Sequence, residues 1–528
     1  MIFSGVFHLN DKKIYKDGKK ISKLFTSFDG KKFKVPLPKK KQNKVCNCEE
    51  YAIIECNNYN EDEKYNIGTC LNIIGKVGDI EIEREILQIR NNIKWPKINK
   101  KTLNDGILEK DLFERVSFIN DESIFPISID PKGSEDLDDC LHFREITDKE
   151  LYEVGVHIAD VSSYILEGSD LDKILMERVE TKYYNWKIYH MIPKQYSTEL
   201  FSLRKGKERR VISIIFNFDK EFNLINSEIK RSLIINKKEL TYEKAEGLLS
   251  KDTRVSKILK KLYNIGEKIM NDKKLSDLST VFTHNKDYDM HKMVEIFMIL
   301  ANVTVANKLI SYNKENTMLR RHIGLKEELL KKSEFNNEEL YVRMNIEKVS
   351  RAEYCRGKEN NTYHYGLGED YYTHFTSPIR RYADICVHRL LSNILGTTWI
   401  YKLPSNICNK INNVKKNIKR GEYESKMLDI FYEYYDNNEG ILETTGYIIN
   451  IYEDSISIFV PKLSTNITYN FIKKKMENIV EINKLDNSLS VKKNDVEESF
   501  KLFQELNIKV IFSKKEWNFK KKFQVIIY

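Results

Sequence analysis

The apolar residues of this 528-residue chain change their spacing twice, and that restricts what it can build. Up to about residue 235 they come in short runs such as Ile2-Phe-Ser-Gly-Val-Phe, Tyr51-Ala-Ile-Ile and Val211-Ile-Ser-Ile-Ile-Phe, the pattern of strands. From Thr241 they recur at three- and four-residue steps, as in Met293, Phe297, Leu300, Ala301 and Thr304, the pattern of a buried helix. Two more helical runs follow, one after Arg380 and one over 407–434, before strand spacing returns in Thr445-Gly-Tyr-Ile-Ile-Asn-Ile and Ser455-Ile-Ser-Ile-Phe-Val. Neither one sheet nor one bundle satisfies both periods, so the expected class is α+β and multidomain. The boundaries fall at an N-terminal barrel over 1–95, a linker with a short helix over 96–124, a central domain over 125–437 and a C-terminal barrel over 438–528.

The densest chemical signal lies in the central domain. Asp130-Pro-Lys-Gly-Ser-Glu-Asp136-Leu-Asp138-Asp139 places four aspartates in one short segment. Like charges this close raise one another's pKa and destabilise a fold unless a cation sits among them. Oxygen-only donors select hard divalent ions such as Mg²⁺ and Ca²⁺. The EF-hand spacing fails, because its third position is Lys132 and its sixth Glu135. A two-Mg²⁺ phosphoryl-transfer centre fits the carboxylate count. The competing reading is a solvated acidic loop. It is weakened by the apolar strand Phe125-Pro-Ile-Ser-Ile before the cluster and the alternation in Tyr152-Glu-Val-Gly-Val-His-Ile-Ala after it.

Composition narrows the partners. With 88 Lys and Arg against 78 Asp and Glu the net charge is +10, which favours a polyanion. The apolar fraction of 41% is enough for sizeable cores. The eight cysteines form no C-x-x-C framework, so reduced thiols in a soluble, intracellular protein are expected, cytoplasmic or nuclear unresolved; Cys46-Asn-Cys48 is their only cluster. No signal-peptide pattern opens the chain, and no stretch reads as a membrane span. Lysine runs at 39–41, 473–475 and 520–522, the last two near Phe471, Trp517 and Phe519, suit single-stranded nucleic acid, although core packing explains the aromatics equally well.

A second constellation reads His374-Phe-Thr-Ser-Pro-Ile-Arg380-Arg381-Tyr382, with Asp384, His388 and Arg389 behind it. This is a Ser-Pro turn feeding a helix whose first turn would hold two arginines. The helix dipole disfavours them there unless an anion such as phosphate is bound.

These segments, taken in order, resemble the ribonuclease II/ribonuclease R (RNB) superfamily, which includes the catalytic subunit of the eukaryotic exosome. The resemblance rests on the aspartate cluster, Gly155-Val-His-Ile-Ala-Asp-Val-Ser162, Gly168-Ser-x-Leu-Asp172, Met191-Ile-Pro193, Leu200-Phe-Ser-Leu203, Glu295-x-Phe-Met-x-Leu-Ala-Asn302, Leu319-Arg-Arg-His322 and the His374 segment. It covers about residues 110 to 435 and is weaker in both flanking barrels.

The resemblance implies a central RNB catalytic domain between N-terminal (cold-shock-like) and C-terminal barrels of the OB type. It implies a processive, Mg²⁺-dependent 3′→5′ exoribonuclease that threads single-stranded RNA and releases nucleoside 5′-monophosphates. Asp130 and Asp139 would ligate one Mg²⁺, and Asp136 and Asp138 would serve a second ion and the attacking water. Asp138 holds the position whose loss would abolish cleavage while sparing binding. Arg380 would clamp the scissile phosphate, Tyr183 would stack on the 3′-terminal base, and Glu295 would lie near the terminal ribose. Arg320, Arg321, Arg381 and Tyr382 are further candidate RNA contacts. A monomer and a place in a larger RNA-degradation complex are both compatible. Three features depart from the family pattern: Glu295 is followed by Ile296 where two acids are usual, Asn185 replaces a proline, and the N-terminal region has room for one complete barrel. The rival readings are a catalytically silent RNA-binding scaffold of the same fold and a metal-binding regulatory protein.

Overall fold

Gly68 closes the N-terminal sheet. In a computed structural model of the chain its strands run in the order Asn66–Ile67, Lys32–Pro36, Lys20–Ser27, Ile2–Phe7, Glu50–Glu55 and Thr69–Lys76, with Tyr15–Asp17 beside Lys20–Ser27. The two outermost strands are consecutive in the chain, separated by Gly68 alone, so the sheet must curl until its edges meet. Phe7, Phe25, Phe33, Ala52 and Ile54 fill the interior. A Cβ at position 68 would lie 2.8 Å from Ile54 Cδ1, which leaves no room for a larger residue without displacing that side chain. The structure describes residues 1–17, 20–37, 48–272, 289–332, 335, 337–396, 400–437, 439–471, 479–485, 488–493 and 496–528. The lysine runs at 39–41 and 473–475 and Cys46 lie outside them.

The central sheet has seven strands, ordered Lys238–Thr241, Ile127–Asp130, Asp139–Ile146, Leu151–Ala159, Glu208–Phe218, Leu224–Ile235 and Val116–Ser117. Its inner face packs on the helices Arg254–Asp272, Met290–Asn313 and Tyr382–Ser392 through one continuous core that includes Val154, Val156, Ile212, Ile214, Phe297 and Ile385. The expectation that no stretch is apolar enough to cross a bilayer fails on length and composition alone. Within Met290–Asn316 an 18-residue window has a mean hydropathy of 1.6, but 61% of that window is buried inside the molecule. It is the core helix that both faces of the site rest on.

In the linker, the helix Lys100–Gly106 is shorter than the sequence pattern suggests and is capped by Asn99, whose side chain accepts from Thr102 N. The long helix Ile407–Asn437 contributes Ile407 and Ile411 to the central core and Met427, Leu428 and Phe431 to the C-terminal one. The C-terminal sheet is ordered Thr465–Asn470, Ser455–Val460, Ile441–Ile451, Glu505–Phe512 and Phe523–Ile527, with a separate three-stranded sheet over Ile479–Leu485, Ser488–Lys493 and Val496–Lys501. Phe471 is buried in that core, and Trp517 and Phe519 pack partly buried against neighbouring clusters. Lys522 is also buried, its Nζ 3.0 Å from Glu83 Oε1 of the helix Ile80–Arg90, so this part of the basic run ties two units together instead of facing solvent.

Candidate active site

The aspartates owe their proximity to strand pairing. Ile127–Asp130 and Asp139–Ile146 are antiparallel neighbours, with Leu141 opposite Ile127, so one strand ends on Asp130 where the next begins on Asp139. The loop between them turns at Gly133, whose φ of +89° suits glycine. It is then pinned from below: Leu137 N donates to Ser202 Oγ at 2.9 Å and Ala159 N to the Asp138 carbonyl at 2.9 Å. Leu137 is buried, which turns Asp136 and Asp138 back toward the strand ends.

The opposite wall is residues 374–381. Asn302 of the core helix accepts from Phe375 N at 2.8 Å, and Asp138 Oδ1 accepts from Ile379 N at 2.9 Å. Arg380 Nε then lies 3.4 Å from Asp138 Oδ2, while its Nη2 donates to Ser377 Oγ at 3.0 Å. The helix starts at Tyr382, not before the arginines, so Arg380 and Arg381 precede it and are not in its first turn. The reason is Asp384, which accepts from Ser377 N at 2.8 Å and binds the Arg381 guanidinium through two contacts of 2.8 Å each, drawing the segment back into a loop.

The third wall is a hairpin of Lys182–Tyr184 and Lys187–Tyr189, in which Tyr183 faces Ile188. Both keep nearly half their surface open, 46% and 47%, and both line the cavity. Asn185 donates to Asp429 Oδ2 at 2.8 Å, so the hairpin tip, which lacks the family's proline, is anchored on the long helix by a side-chain hydrogen bond.

Together the walls enclose a cavity of about 1040 Å³ lined by Asp130, Asp136, Asp138, Asp139, Tyr183, Glu295, Arg320, Arg380 and Arg381. Its electrostatics are frustrated. Burial raises all four carboxyls above the ordinary range, Asp130 to about 7, with Asp138 adding to the effect, and Asp139 to about 8, with Asp130 adding to it. Asp138 lies well above that range and Asp136 is raised, both from burial first, with Arg380 opposing the shift. Asp130 Oδ2 is buried without a hydrogen-bond partner. An orphaned carboxylate oxygen beside other desolvated carboxylates is the donor chemistry of a hard divalent cation. Among the described residues no three His, Cys, Asp or Glu side chains are already drawn close enough together to hold a metal ion. The fit to such an ion rests on the unpartnered Asp130 Oδ2 and the desolvated carboxyls beside it.

The other predicted contacts divide. Arg320 lines the cavity with Nη1 buried and unpartnered, and its guanidinium carbon lies 5.1 Å from the centre of the Tyr354 ring. Glu295 reaches the cavity while paired with Lys292 at 2.7 Å. Two expectations need correction, for Arg321 and Tyr382, and a third residue, Arg381, is partly engaged elsewhere. Arg321 points to the other side of its strand, where it binds Glu353 at 2.6 Å and Glu359 at 2.8 Å. Tyr382 is buried with its hydroxyl on Asp172 at 3.0 Å, a packing role. Arg381 lines the cavity, but Asp384 holds its guanidinium, so it shapes the loop. Not singled out as lining residues were Tyr242, with His291 stacked on it at 3.7 Å, and a histidine wall in which His190 and His364 join His374. Tyr242 sits in the first turn of a helix capped by Thr241, a signal visible in the sequence; the histidines are too scattered along the chain to show one.

Desolvated carboxylates thus face an arginine in a cavity between a sheet and its covering helices. A family model described as the RNB domain matches residues 120–397, and the chain belongs to that family. It is 29% identical over 475 residues to the mouse protein named exosome complex exonuclease RRP44, covering 78% of this chain and 49% of that one. It is 27% identical over 486 residues to the Xenopus tropicalis DIS3-like exonuclease 2, covering 76% of this chain and 57% of that one. The chain thus spans about half the length of the curated relatives it matches. Its fold is that of Mycoplasma genitalium RNase R, solved with ribose-methylated single-stranded RNA, at a TM-score of 0.75 and 18% identity over 100% of this chain and 89% of that one. It also resembles yeast Ssd1, described as a pseudonuclease, at a TM-score of 0.67 and 20% identity over 93% of this chain and 67% of that one.

Proposed function

We propose that the chain is a 3′→5′ exoribonuclease that hydrolyses single-stranded RNA from its 3′ end to nucleoside 5′-monophosphates with Mg²⁺ as cofactor, inside the cell, alone or docked on a larger RNA-degrading complex. The observation that carries this reading is the pairing of Arg380 with Asp138 at the floor of the cavity, beside the unpartnered Asp130 Oδ2. The Arg380 side chain is 42% exposed, so its guanidinium keeps a free edge for the scissile phosphate. Tyr183 presents an open aromatic face to the terminal base, a sequence-tolerant grip. Asp138, held by Ile379 N on one oxygen, orients water and takes its proton. The water oxygen bonds to phosphorus, the bond to the 3′ oxygen of the penultimate nucleotide breaks, and that oxygen leaves protonated as the new 3′ hydroxyl. Mg²⁺ held by two or more of Asp130, Asp136, Asp138 and Asp139, with two ions as the expected number, would lower the water pKa and stabilise charge on the phosphate oxygens.

The likeness to a pseudonuclease keeps one alternative in play, a silent RNA-binding scaffold. The presence of all four aspartates and Arg380 around one cavity favours catalysis. The test is wild type against Asp138→Asn on a 5′-labelled oligoribonucleotide with Mg²⁺. Stepwise shortening by wild type, reduced at least ~1000-fold in the variant with binding kept, is the expected result. Binding without shortening by either protein would leave the scaffold.

A further inference from the structure

The back of the Tyr183 hairpin holds an unusual residue. Alternation puts Tyr183 on the cavity side and Lys182, with its cross-strand partner Tyr189, on the other. Lys182 is fully buried. Its Nζ donates to Gln88 Oε1 at 2.7 Å and lies 4.0 Å from the centre of the Trp95 ring, 4.5 Å from Tyr189 and 5.8 Å from Tyr184. Among the described residues no carboxylate is paired with it; the nearest formal charge named beside it is Arg178, also a cation, whose guanidinium carbon lies 4.6 Å from the same Trp95 ring. The packed elements contribute different neighbours: the helix Ile80–Arg90 gives neutral Gln88, the linker gives Trp95, the helix Asp170–Arg178 gives Arg178, the hairpin gives Tyr184 and Tyr189, and the long helix Ile407–Asn437 brings Glu422, whose Oε1 accepts from Tyr183 N at 3.3 Å, and Glu424, paired with Arg90 at 3.1 Å.

We propose that Lys182 is a positioning residue: by filling this aromatic cage it seats the hairpin so that Tyr183 meets the 3′-terminal base. The proposal rests on the reading of Tyr183 as the base-stacking residue. The cage joins four elements, and the long helix clamps the hairpin from outside. A Cβ on Gly421 of that helix would stand 3.1 Å from Tyr184 Oη and 2.7 Å from Ile93 Cδ1. Without the Lys182 stem, the hairpin back face would border a void.

The cage also prefers one protonation state. Burial, with Arg178 nearby, lowers the Lys182 ammonium from 10.5 to about 7. An undocked hairpin would hold its proton up to the ordinary value. Between those two limits the docked state binds fewer protons, so docking strengthens as pH rises; below about 7 both states are charged and docking no longer depends on pH.

The test uses the full chain carrying Asp138→Asn, so that RNA binds without being shortened, and an oligoribonucleotide ending in 2-aminopurine, whose fluorescence is quenched by stacking. The background protein should quench more strongly as pH rises from about 7 to about 9. Lys182→Ala should lose most of the quenching at every pH. Lys182→Met, which fills the cage without a charge, should quench strongly and without pH dependence. Unchanged quenching in Lys182→Ala, or the same pH dependence in Lys182→Met as in the background protein, would overturn the proposal. Full quenching in Tyr183→Ala would instead overturn the stacking assignment beneath it.

Discussion

Two sets of aspartates sit on either side of the same core, one matched by arginines and one not. Behind the cavity, Asp160 is 2.8 Å from Arg115, Asp172 is 2.9 Å from Arg389, and Asp384 grips Arg381. Asp160 is additionally bonded by Ser162 Oγ at 2.8 Å, and its carboxyl is held far below the usual range, burial being outweighed by Arg115 and His388. Inside the cavity, Arg380 offsets Asp136, Asp138 and Asp139 only in part, and all four carboxyls, Asp130 included, shift upward. Burial does not explain the difference: Asp160, Asp172 and Asp384 are the more buried set, while Asp130, Asp136 and Asp139 keep intermediate exposure. The number of cations per carboxylate explains it. The fold balances charge behind the cavity and leaves a deficit inside it, as the proposed metal and phosphate site requires.

Substituting one residue in each set should split activity from stability. Asp160→Asn strips the buried Arg115 of one of its two carboxylates, leaving Asp111, a loss of ~1–3 kcal/mol in the urea-unfolding free energy. Asp138→Asn should leave that free energy equal or higher, since it removes a desolvated carboxylate from a repulsive group. Equal losses for the two variants would erase the contrast. A smaller effect follows from pH. In metal-free protein the folded carboxyls of Asp130 and Asp139, at about 7 and about 8, keep protons that the unfolded chain, at 3.8, has released. Folded protein therefore binds more protons between those values, and stability falls as pH rises through that window. With a chelator present, the melting temperature should be lower at about pH 8 than at about pH 5, and Mg²⁺ should restore it chiefly at the higher pH. Asp130→Asn should flatten the slope; a slope unchanged by that substitution and by Mg²⁺ would place its origin elsewhere.

How much of this was legible in the sequence depended on whether chemistry lay along the chain or across it. The four aspartates and Arg380 stood out because charge clustered within a few residues and defied local electrostatics. The central helix was legible from its period. The helix start was misplaced because Asp384, which pulls Arg381 back, reaches seven residues upstream to Ser377, a contact no periodicity encodes. Gly155 shows the same limit. A Cβ there would come within 2.2 Å of the His142 ring, because His142 and His157 stack across neighbouring strands at 4.9 Å. The motif was readable as a strand, but its reason for glycine lies on the adjacent strand. Lys182 carried no signal at all, since a lysine beside two tyrosines reads as a solvated edge until Trp95 and Gln88 fold over it.

The finest division runs between adjacent residues. Arg320 and Arg321 share the strand Met318–Arg321, and the sequence offered no ground to separate them. Strand alternation sends one guanidinium into the cavity and the other to the outer surface. Arg321 there meets Glu353 and Glu359, which already satisfy it. Arg320 keeps Nη1 buried and unbonded among His364, Tyr372 and His374 of the cavity wall. A phosphate upstream of the scissile one would complete it. Arg320→Ala should weaken binding of single-stranded RNA about tenfold and reduce the steepness of its salt dependence by about one contact, measured in the Asp138→Asn background. Arg321→Ala should leave affinity and salt slope unchanged and cost no more than ~1 kcal/mol of stability, the value of a surface ion pair. Equal losses of RNA affinity in the two variants would mean that the outer face of this strand also contacts RNA, and the charge deficit that defines the site would extend beyond the cavity.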